Sequence, residues 1–305
     1  MKQPILYAFL VLSLAFGASL PAARAQISAD DRAYLEEMED TIALLAHAIV
    51  NDSLEENRFG ACREMIPRLV KALEVKHSFR YPFKQLKAVS VQYPQDSTFR
   101  VFTWQLYVNE NEYRYYGAIQ LNTPELQLFP LVDRSFEVRQ PEQAVLSPEQ
   151  WYGAVYYNLK QVGRKENRYY LLFGFDGNEL FRKRKLIEVL RFVDGKPKFG
   201  APVFEHGAGK VKHRIVREYA AEVGTRLNYD EALEIIIFDH LIAQNGPYGE
   251  GLNFYPDGSY EGYELTKAGK WAYIEKVFDQ VSEEAPRPAP ILDNRKKDIF
   301  GRGNQ

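Results

Sequence analysis

Apolar and polar residues alternate, in successive segments, from Leu86 to about Val277. A period of two is typical of β-strands, because successive side chains of a strand point to opposite faces of its sheet. The sequence also contains 20 Tyr, 19 Phe and 3 Trp, residue types that favour strands. We therefore predict a β-rich body of roughly a dozen strands. The alternation is clearest in five segments: Arg100 to Tyr107, Glu112 to Leu121, Arg168 to Phe175, Lys185 to Phe192 and Ala232 to Phe238.

Clusters of turn-forming residues separate the predicted strands. Glycine, asparagine and aspartate adopt the backbone conformations of tight turns, so these clusters favour hairpins between antiparallel strands. At Asp176-Gly177-Asn178 we expect a type I′ turn. Residues 81–281 are thus predicted to form one large antiparallel β domain, either a propeller-like array of small sheets or a β-sandwich. The clusters are Asn109-Glu110-Asn111, Asp176-Gly177-Asn178, Asp194-Gly195-Lys196-Pro197, Asp257-Gly258 and Ala268-Gly269.

A helical hairpin is predicted over residues 26–80, before the β domain. Apolar residues recur there at spacings of three and four, the pattern of one helix face. We expect Ser28 to cap the first helix, Ser53 and Glu56 to form a capping box at the second, and Pro67 to kink or split it. The fold class is therefore predicted to be α+β and mainly β. The first stripe is Leu35, Met38, Ile42, Leu45 and Ile49, and the second is Phe59, Cys62, Ile66, Leu69 and Leu73.

Residues 1–25 have the layout of a cleavable secretory signal peptide. Lys2 precedes an apolar run from Ile5 to Ala18, and small residues lead to a predicted cleavage site between Ala25 and Gln26. The run is shorter than the roughly 20 residues that a membrane-spanning helix needs. We expect an exported protein, periplasmic or extracellular, with no membrane span after cleavage.

Charge and cysteine content narrow the classes of ligand. Loss of Lys2 and Arg24 with the signal leaves 37 basic and 41 acidic residues, a net charge of −4, which does not favour nucleic acid as a partner. Export also makes ATP and NAD improbable ligands, and no cofactor is expected.

Cys62 is the single cysteine, so no intramolecular disulfide can form, and its place on a helix stripe predicts a buried thiol. Residues 282–305, rich in proline and charge, are expected to be a flexible tail.

Three residues are weak candidates for catalysis. Asp239 and His240 follow the apolar run Ile235 to Phe238, where a carboxylate beside an imidazole could orient a general base. Glu179 lies just beyond a predicted turn and could supply a second carboxylate. The simpler interpretation is that Asp239 and His240 satisfy backbone groups at a strand end.

No metal site is predicted. His206, His213 and Glu205 flank a glycine-containing turn, but two histidines and one carboxylate make an incomplete ligand set. The segment from Asp176 to Glu179 offers too few oxygens for calcium, which needs about six to eight.

Aromatic side chains are the best candidates for a ligand surface. Exposed rings on strands can stack on sugar faces or bury against a protein partner. The alternative is that most of these rings pack in the core or across strands. The four candidates are Trp104, Tyr116, Trp151 and Tyr152.

Five stretches of the sequence resemble a family of exported bacterial proteins that are generally described as hypothetical. The resemblance implies no activity, cofactor or catalytic residue. Together with the aromatic content, it leads us to expect a non-enzymatic envelope or secreted protein that binds a protein or glycan of the cell envelope or has a structural role there. The alternative is a hydrolase acting on envelope or dietary polymers through carboxylate and histidine chemistry. The stretches are Arg80-Tyr81-Pro82-Phe83, Phe99-Arg100-Val101-Phe102-Thr103-Trp104, Trp151-Tyr152-Gly153-Ala154, Gly174-Phe175-Asp176-Gly177-Asn178 and Phe238-Asp239-His240-Leu241.

Overall fold

Two antiparallel helices open the computed structural model, which describes residues 26–207 and 209–278 of the 305-residue chain. The predictions for the signal peptide at 1–25 and for the tail at 282–305 lie outside the described residues. Helix α1 spans Ala29–Asn51 and helix α2 spans Glu55–Glu74. The Ser28 hydroxyl accepts a hydrogen bond from the Asp31 N–H at 3.0 Å, which confirms the predicted cap. The apolar stripe of each helix is buried, so the predicted hairpin is confirmed.

The capping box predicted for α2 is wrong, and of the two effects predicted for Pro67 the split is wrong. The capping box does not form, because the residue before the helix is Leu54 and its N–H donates to Asp52 Oδ1 at 2.8 Å. Pro67 does not split the helix, which continues without interruption to Glu74. The residue four positions earlier, Arg63, is exposed, so solvent can hydrate the carbonyl that proline leaves without a partner.

The described chain then forms fifteen strands. Their number exceeds the predicted dozen because several edge strands are only two to four residues long. The strands are β1 Ser90–Gln92, β2 Phe99–Asn109, β3 Glu112–Leu121, β4 Leu128–Val132, β5 Val155–Val162, β6 Tyr169–Asp176, β7 Arg182–Val193, β8 Lys196–Phe199, β9 Phe204–Glu205, β10 Val211–Lys212, β11 Ile215–Ala220, β12 Leu227–Asp230, β13 Ile235–Asn245, β14 Leu252–Leu265 and β15 Trp271–Ile274.

These strands build three sheets. Sheet 1 has the order β1-β2-β3-β4, sheet 2 has the order β11-β7-β6-β5 with β8 added to β7, and sheet 3 has the order β10-β9-β15-β14-β13-β12. Every pair of strands is antiparallel except β9 with β15. In the described part of the chain no sheet closes on itself. The α+β, mainly β class is therefore confirmed.

Four of the five predicted turns connect neighbouring antiparallel strands as expected: Asn109-Glu110-Asn111, Asp176-Gly177-Asn178, Asp194-Gly195 and Ala268-Gly269. The fifth differs, because Asp257 and Gly258 lie inside β14. The turn at Asp176-Gly177-Asn178 is not of type I′, because only Asn178, with φ 47°, has a positive φ, and that turn requires it at both central residues. The predicted strand that was to begin at Ala232 begins at Ile235.

The helices and sheets stack as layers with an apolar core between each neighbouring pair. Alternation along a strand sends successive side chains to different cores. In β6, Leu172 packs towards sheet 1 and Phe173 towards sheet 3. In β2, Val101 packs towards sheet 2 and Phe102 towards the helices. Sheets 1 and 2 are thus buried on both faces, which leaves sheet ends and loops to carry ligand sites.

A fully buried arginine joins the segment after the helices to sheet 1. The Arg100 guanidinium donates to Gln120 Oε1 at 2.8 Å, to the Tyr81 carbonyl at 2.6 Å and to the Ser78 carbonyl at 3.0 Å. It also lies over the rings of Phe83 and Phe102. No carboxylate of the described residues forms an ion pair with it. Neutral acceptors and aromatic faces therefore compensate this buried charge.

No helix in the described ranges is both long and apolar enough to cross a membrane.

Candidate functional site

A cleft of about 750 Å³ opens where the end of sheet 1 meets the loop that follows β6. Its walls come from the β2–β3 turn, the start of β3, the segment after β4, and the loop 177–181 of sheet 2. This volume is typical of small-molecule sites, which measure about 300–1,000 Å³. The side chains that define its chemistry are Tyr113, Tyr116, Asp133, Phe136, Asp176 and Arg184.

Asp176 lies at the buried floor of the cleft, at the end of β6. Its Oδ1 accepts hydrogen bonds from the Tyr115 hydroxyl at 2.9 Å and from the Asn178 N–H at 2.8 Å. Its Oδ2 lies 3.9 Å from Arg184 Nη1 and accepts no hydrogen bond from the described residues. Burial raises the pKa of Asp176 to about 6, although these hydrogen bonds and the Arg184 charge oppose the rise. One oxygen of this carboxyl is therefore available to a ligand.

Asp133 also faces the cleft, but its oxygens are occupied. Oδ1 accepts from the Ser135 N–H at 3.0 Å, the Ser135 hydroxyl at 2.7 Å and the Gly153 N–H at 3.3 Å. Oδ2 accepts from the Tyr115 N–H at 3.1 Å. A Cβ at position 153 would lie 2.4 Å from the Asp133 carboxyl carbon, so glycine is needed there. Asp133 thus shapes the 3-10 turn Ser135–Glu137, which carries Phe136.

Arg184 supplies the fixed positive charge of the cleft. Its Nε and Nη2 donate to Glu218 Oε2 at 3.0 and 2.8 Å, a two-pronged contact that fixes the guanidinium plane. Its Nη1 lies 3.5 Å from the Tyr152 hydroxyl. Burial raises the pKa of Tyr152 to about 12, so the tyrosine stays neutral. The cleft floor consequently presents a donor, Arg184, beside an acceptor, Asp176.

Two aromatic rings, Tyr113 and Phe136, line the mouth of the cleft. Tyr113 packs against the backbone of Gly177, where an added Cβ would lie 2.8 Å from its ring. Tyr116 also borders the cleft, but its ring packs in the core between the helices and sheet 1, where it stacks on Trp104 with 5.8 Å between centroids and an angle of 10°. Phe136 is 78% exposed, an unusually large exposure for a phenylalanine. Aromatic faces therefore surround the polar floor.

Three of the four predicted aromatic candidates are buried in the core, and one lines the cleft. Trp104, Trp151 and Tyr152 are buried, and the Trp151 indole donates to the Tyr156 hydroxyl at 2.6 Å. They belong to the core because an apolar core covers each face of sheet 1. The core between sheets 1 and 2 also includes the segment that leads into β5. Tyr116 is half-buried and is the one candidate of the four that lines the cleft.

The three catalytic candidates are not brought to one site. Asp239 is buried near Lys185, its Oδ2 accepts from the Arg226 N–H at 2.5 Å, and burial raises its pKa. His240 is half-exposed and its Nδ1 lies 2.8 Å from Asp257 Oδ2. Glu179 lies in the loop 177–181 and forms an ion pair with Arg182 at 3.6 Å. Neighbouring strand residues point to opposite faces, which keeps Asp239 and His240 apart.

The remaining polar candidates have structural contacts. Cys62 is buried and burial raises the pKa of its thiol, as expected for a packed cysteine. His206 Nδ1 lies 2.8 Å from the Tyr263 hydroxyl. Among the described residues, no group of three or more His, Cys, Asp or Glu side chains is placed to hold a metal ion.

Sequence reasoning missed Asp133, Phe136 and Arg184. Asp133 with Ser135 is a typical turn-forming pair, and Phe136 is an aromatic residue outside any alternating segment, so local signals existed for both. Arg184 is the direct cross-strand partner of Asp176 in the β6–β7 hairpin, so the turn signal at Asp176-Gly177-Asn178 could have pointed to it once the register of the hairpin was known.

The cleft therefore offers a fixed donor and acceptor at its floor and aromatic faces at its mouth. Such a site can bind a ligand that has both hydroxyl groups and apolar faces. Comparison with protein-family models, with curated proteins and with solved structures gave no match for this chain.

Proposed function

We propose that the protein binds a neutral glycan in the cleft and has no catalytic role there. The observation that carries this proposal is the placement of Phe136 and Tyr113 beside the Asp176–Arg184 pair. A sugar ring presents C–H groups on one face, which pack on aromatic rings, and hydroxyl groups at its edge, which pair with neighbouring donors and acceptors. The cleft supplies both kinds of contact.

The size and shape of the cleft favour a glycan over a folded protein partner. A stable protein interface buries about 800 Å² on each partner, which calls for a broad surface. Here the aromatic residues converge on a concavity with a polar floor. A chain of sugar units fits such a concavity.

Binding is favoured over hydrolysis by the state of the two carboxyl groups. Glycoside hydrolases generally use two carboxyl groups, one as acid and one as base or nucleophile. Asp176 has an available oxygen, but both oxygens of Asp133 are occupied by the four hydrogen bonds that they accept, so Asp133 is not placed to contact a substrate or a water. The alternative hydrolase, built on Asp239, Glu179 and His240, lacks a shared cleft for these residues.

We also propose that the protein is exported, on the strength of the signal-like residues 1–25. Export would place the cleft among the glycans of the cell envelope or its surroundings. The test is the mass of the protein recovered from fractions of the cells that make it. We expect a chain beginning at Gln26 outside the cytosol, and intact chain beginning at Met1 in the cytosol would contradict export.

A glycan array probed with the purified protein tests the binding proposal, followed by calorimetric titration of any neutral glycan that it retains. We expect Phe136→Ala to weaken binding about tenfold, because a lost stacking contact costs about 1.4 kcal/mol. Phe254→Ala is the matched control, since Phe254 is also exposed but lies on β14, away from the cleft residues. Retention of no glycan, or equal affinities of the two variants, would contradict the proposal.

A further inference from the structure

We infer that the bound glycan is an extended oligosaccharide that crosses Phe136 and continues into a second groove beside the cleft. This inference rests on the proposed glycan-binding function and specifies its ligand class. The second groove, about 370 Å³, is lined by Arg134, Gln140, Gln143, Leu146 and Gln150 among others, and we name it the glutamine groove.

The cleft and the glutamine groove are neighbours. Arg134 lines both, and the 3-10 turn Ser135–Glu137 separates them. Phe136 lies on this turn and 78% of it is exposed. Phe136 lines the cleft but not the glutamine groove. A ligand confined to the cleft would contact the ring, and a ligand that continues over the turn into the groove would cover more of it.

The turn under Phe136 is rigidly held. The Asp133 carboxylate accepts from both the N–H and the hydroxyl of Ser135, and the Glu137 N–H donates to the Arg134 carbonyl at 2.9 Å. The backbone position of Phe136 is thus fixed before a ligand arrives, and a pre-organised turn loses little conformational entropy on binding.

The glutamine groove has the chemistry of a site for hydroxyl groups. A glutamine amide donates and accepts hydrogen bonds without carrying charge. The Gln143 amide donates to the Val211 carbonyl at 3.1 Å and is held by the protein. The exposed amides of Gln140 and Gln150 make no hydrogen bond to any described residue, so their donors and acceptors are available to a ligand.

The backbone beneath these two amides is ordered by short turns. The Gln140 carbonyl accepts from the N–H groups of Gln143 and Ala144 at 3.0 and 3.1 Å. The Gln150 N–H donates to the Ser147 carbonyl at 3.0 Å. The amides therefore extend from fixed positions, as a chain-binding groove requires.

The charged group shared by the two concavities is partly neutralised. Arg134 Nη1 lies 3.3 Å from Glu137 Oε1, and both side chains are about half exposed. The exposed Arg139 adds one further positive charge to the glutamine groove, whereas three acidic and three basic side chains line the cleft. The acidic side chains of the cleft and the neutral glutamines of the groove favour a neutral sugar over a highly acidic one. The ligand class is therefore a neutral oligosaccharide of several units.

A chain-length series tests the inference, with neutral gluco-, xylo- and manno-oligosaccharides of two to six units as probes in calorimetric titrations. We expect affinity to rise with length until both concavities are filled. In the double variant Gln140→Ala with Gln150→Ala, affinity for the longest binding oligomer should fall about tenfold while affinity for its disaccharide stays unchanged. Gln244→Ala, at an exposed position of β13, is the control and should change neither affinity.

The outcomes separate this inference from the function on which it rests. Short oligomers that bind with no gain from added units, or an equal loss for short and long oligomers in the double variant, would overturn the extended ligand and leave the glycan cleft standing. Absence of binding at every length would contradict the glycan cleft itself. Thermal melting of each variant verifies that the fold is kept.

Discussion

The Tyr115 hydroxyl donates a hydrogen bond to Asp176 Oδ1 at 2.9 Å and so joins β3 of sheet 1 to the end of β6 in sheet 2. The same hydroxyl accepts from the Gly177 N–H at 2.6 Å, and the Tyr115 backbone N–H donates to Asp133. One buried tyrosine therefore holds both carboxyl groups of the cleft. The cleft floor is a product of the packing of two sheets.

Tyr115→Phe should destabilise the fold. The substitution removes one hydroxyl and leaves the Gly177 N–H and one contact of Asp176 without a partner. An unsatisfied buried polar group costs about 1–3 kcal/mol, so we expect the free energy of unfolding in urea to fall by about that amount. Tyr34→Phe, at an exposed position of α1, is the control. Equal stabilities of the two variants would show that the Tyr115 hydroxyl is dispensable.

Asp176 should make stability depend on pH. Burial raises its pKa from 3.8 to about 6, so the folded chain binds this proton more tightly than the unfolded chain does. The stabilising contribution is then complete below about pH 4 and is lost as the pH rises through about 6. It amounts to up to about 3 kcal/mol.

The measurement is urea unfolding of the wild type and of Asp176→Asn between pH 4 and pH 7. The amide does not titrate, so the stability of the wild type relative to the variant should decline across this range. If the difference in free energy of unfolding between the wild type and Asp176→Asn stays constant with pH, Asp176 has an ordinary pKa.

Gly177→Ala should alter the cleft while leaving the fold nearly intact. The new Cβ would lie 2.8 Å from the Tyr113 ring, and the flexible ring should move into the cleft mouth. We expect glycan affinity to fall about tenfold and the free energy of unfolding to change by less than about 1 kcal/mol.

The control for this change is Gly60→Ala, in α2. A Cβ at position 60 meets no atom within 4 Å, so alanine should stabilise the helix by about 0.5–1 kcal/mol without affecting binding. If Gly177→Ala binds glycan as the wild type does, Tyr113 is not a wall of the ligand site.

Arg100→Met should be strongly destabilising. It would leave the Gln120 amide oxygen and the Tyr81 carbonyl without their donor in a buried region, and the Ser78 carbonyl with only the Tyr81 N–H. We expect the free energy of unfolding to fall by about 3 kcal/mol or more. Arg63→Met, at an exposed position of α2, should change it by less than about 0.5 kcal/mol. A small effect at Arg100 would mean that methionine packing replaces the lost hydrogen bonds.

Local pattern was sufficient to predict much of the fold. The spacing of Leu35, Ile42 and Ile49 follows the helix period, and the alternation over Glu112 to Leu121 matches β3 at both ends. Prediction from local pattern failed where contacts with distant parts of the chain override the local preference. Asp257-Gly258 looks like a turn, but it forms an irregularity within β14, where pairing with β13 resumes on both sides, and the Asp257 carboxylate accepts from the Ser259 N–H.

The cleft could not be predicted in the same way. Asp133 and Asp176 are 43 positions apart in the sequence and belong to segments that follow different sheets. Their meeting depends on the packing of sheets 1 and 2, which has no local sequence signal. Of the four aromatic residues predicted as a ligand surface, Trp104, Trp151 and Tyr152 are covered by cores, because alternation along a strand does not say which face of a sheet is buried.

The glycan cleft is tested most directly by a crystal structure of the protein with the oligosaccharide that binds most tightly in the titrations. We expect a sugar ring on the face of Phe136, a hydroxyl group within hydrogen-bond distance of Asp176 Oδ2, and further units along the glutamine groove. Sugar bound on another surface, with the cleft between Tyr113 and Phe136 unoccupied, would contradict the proposal.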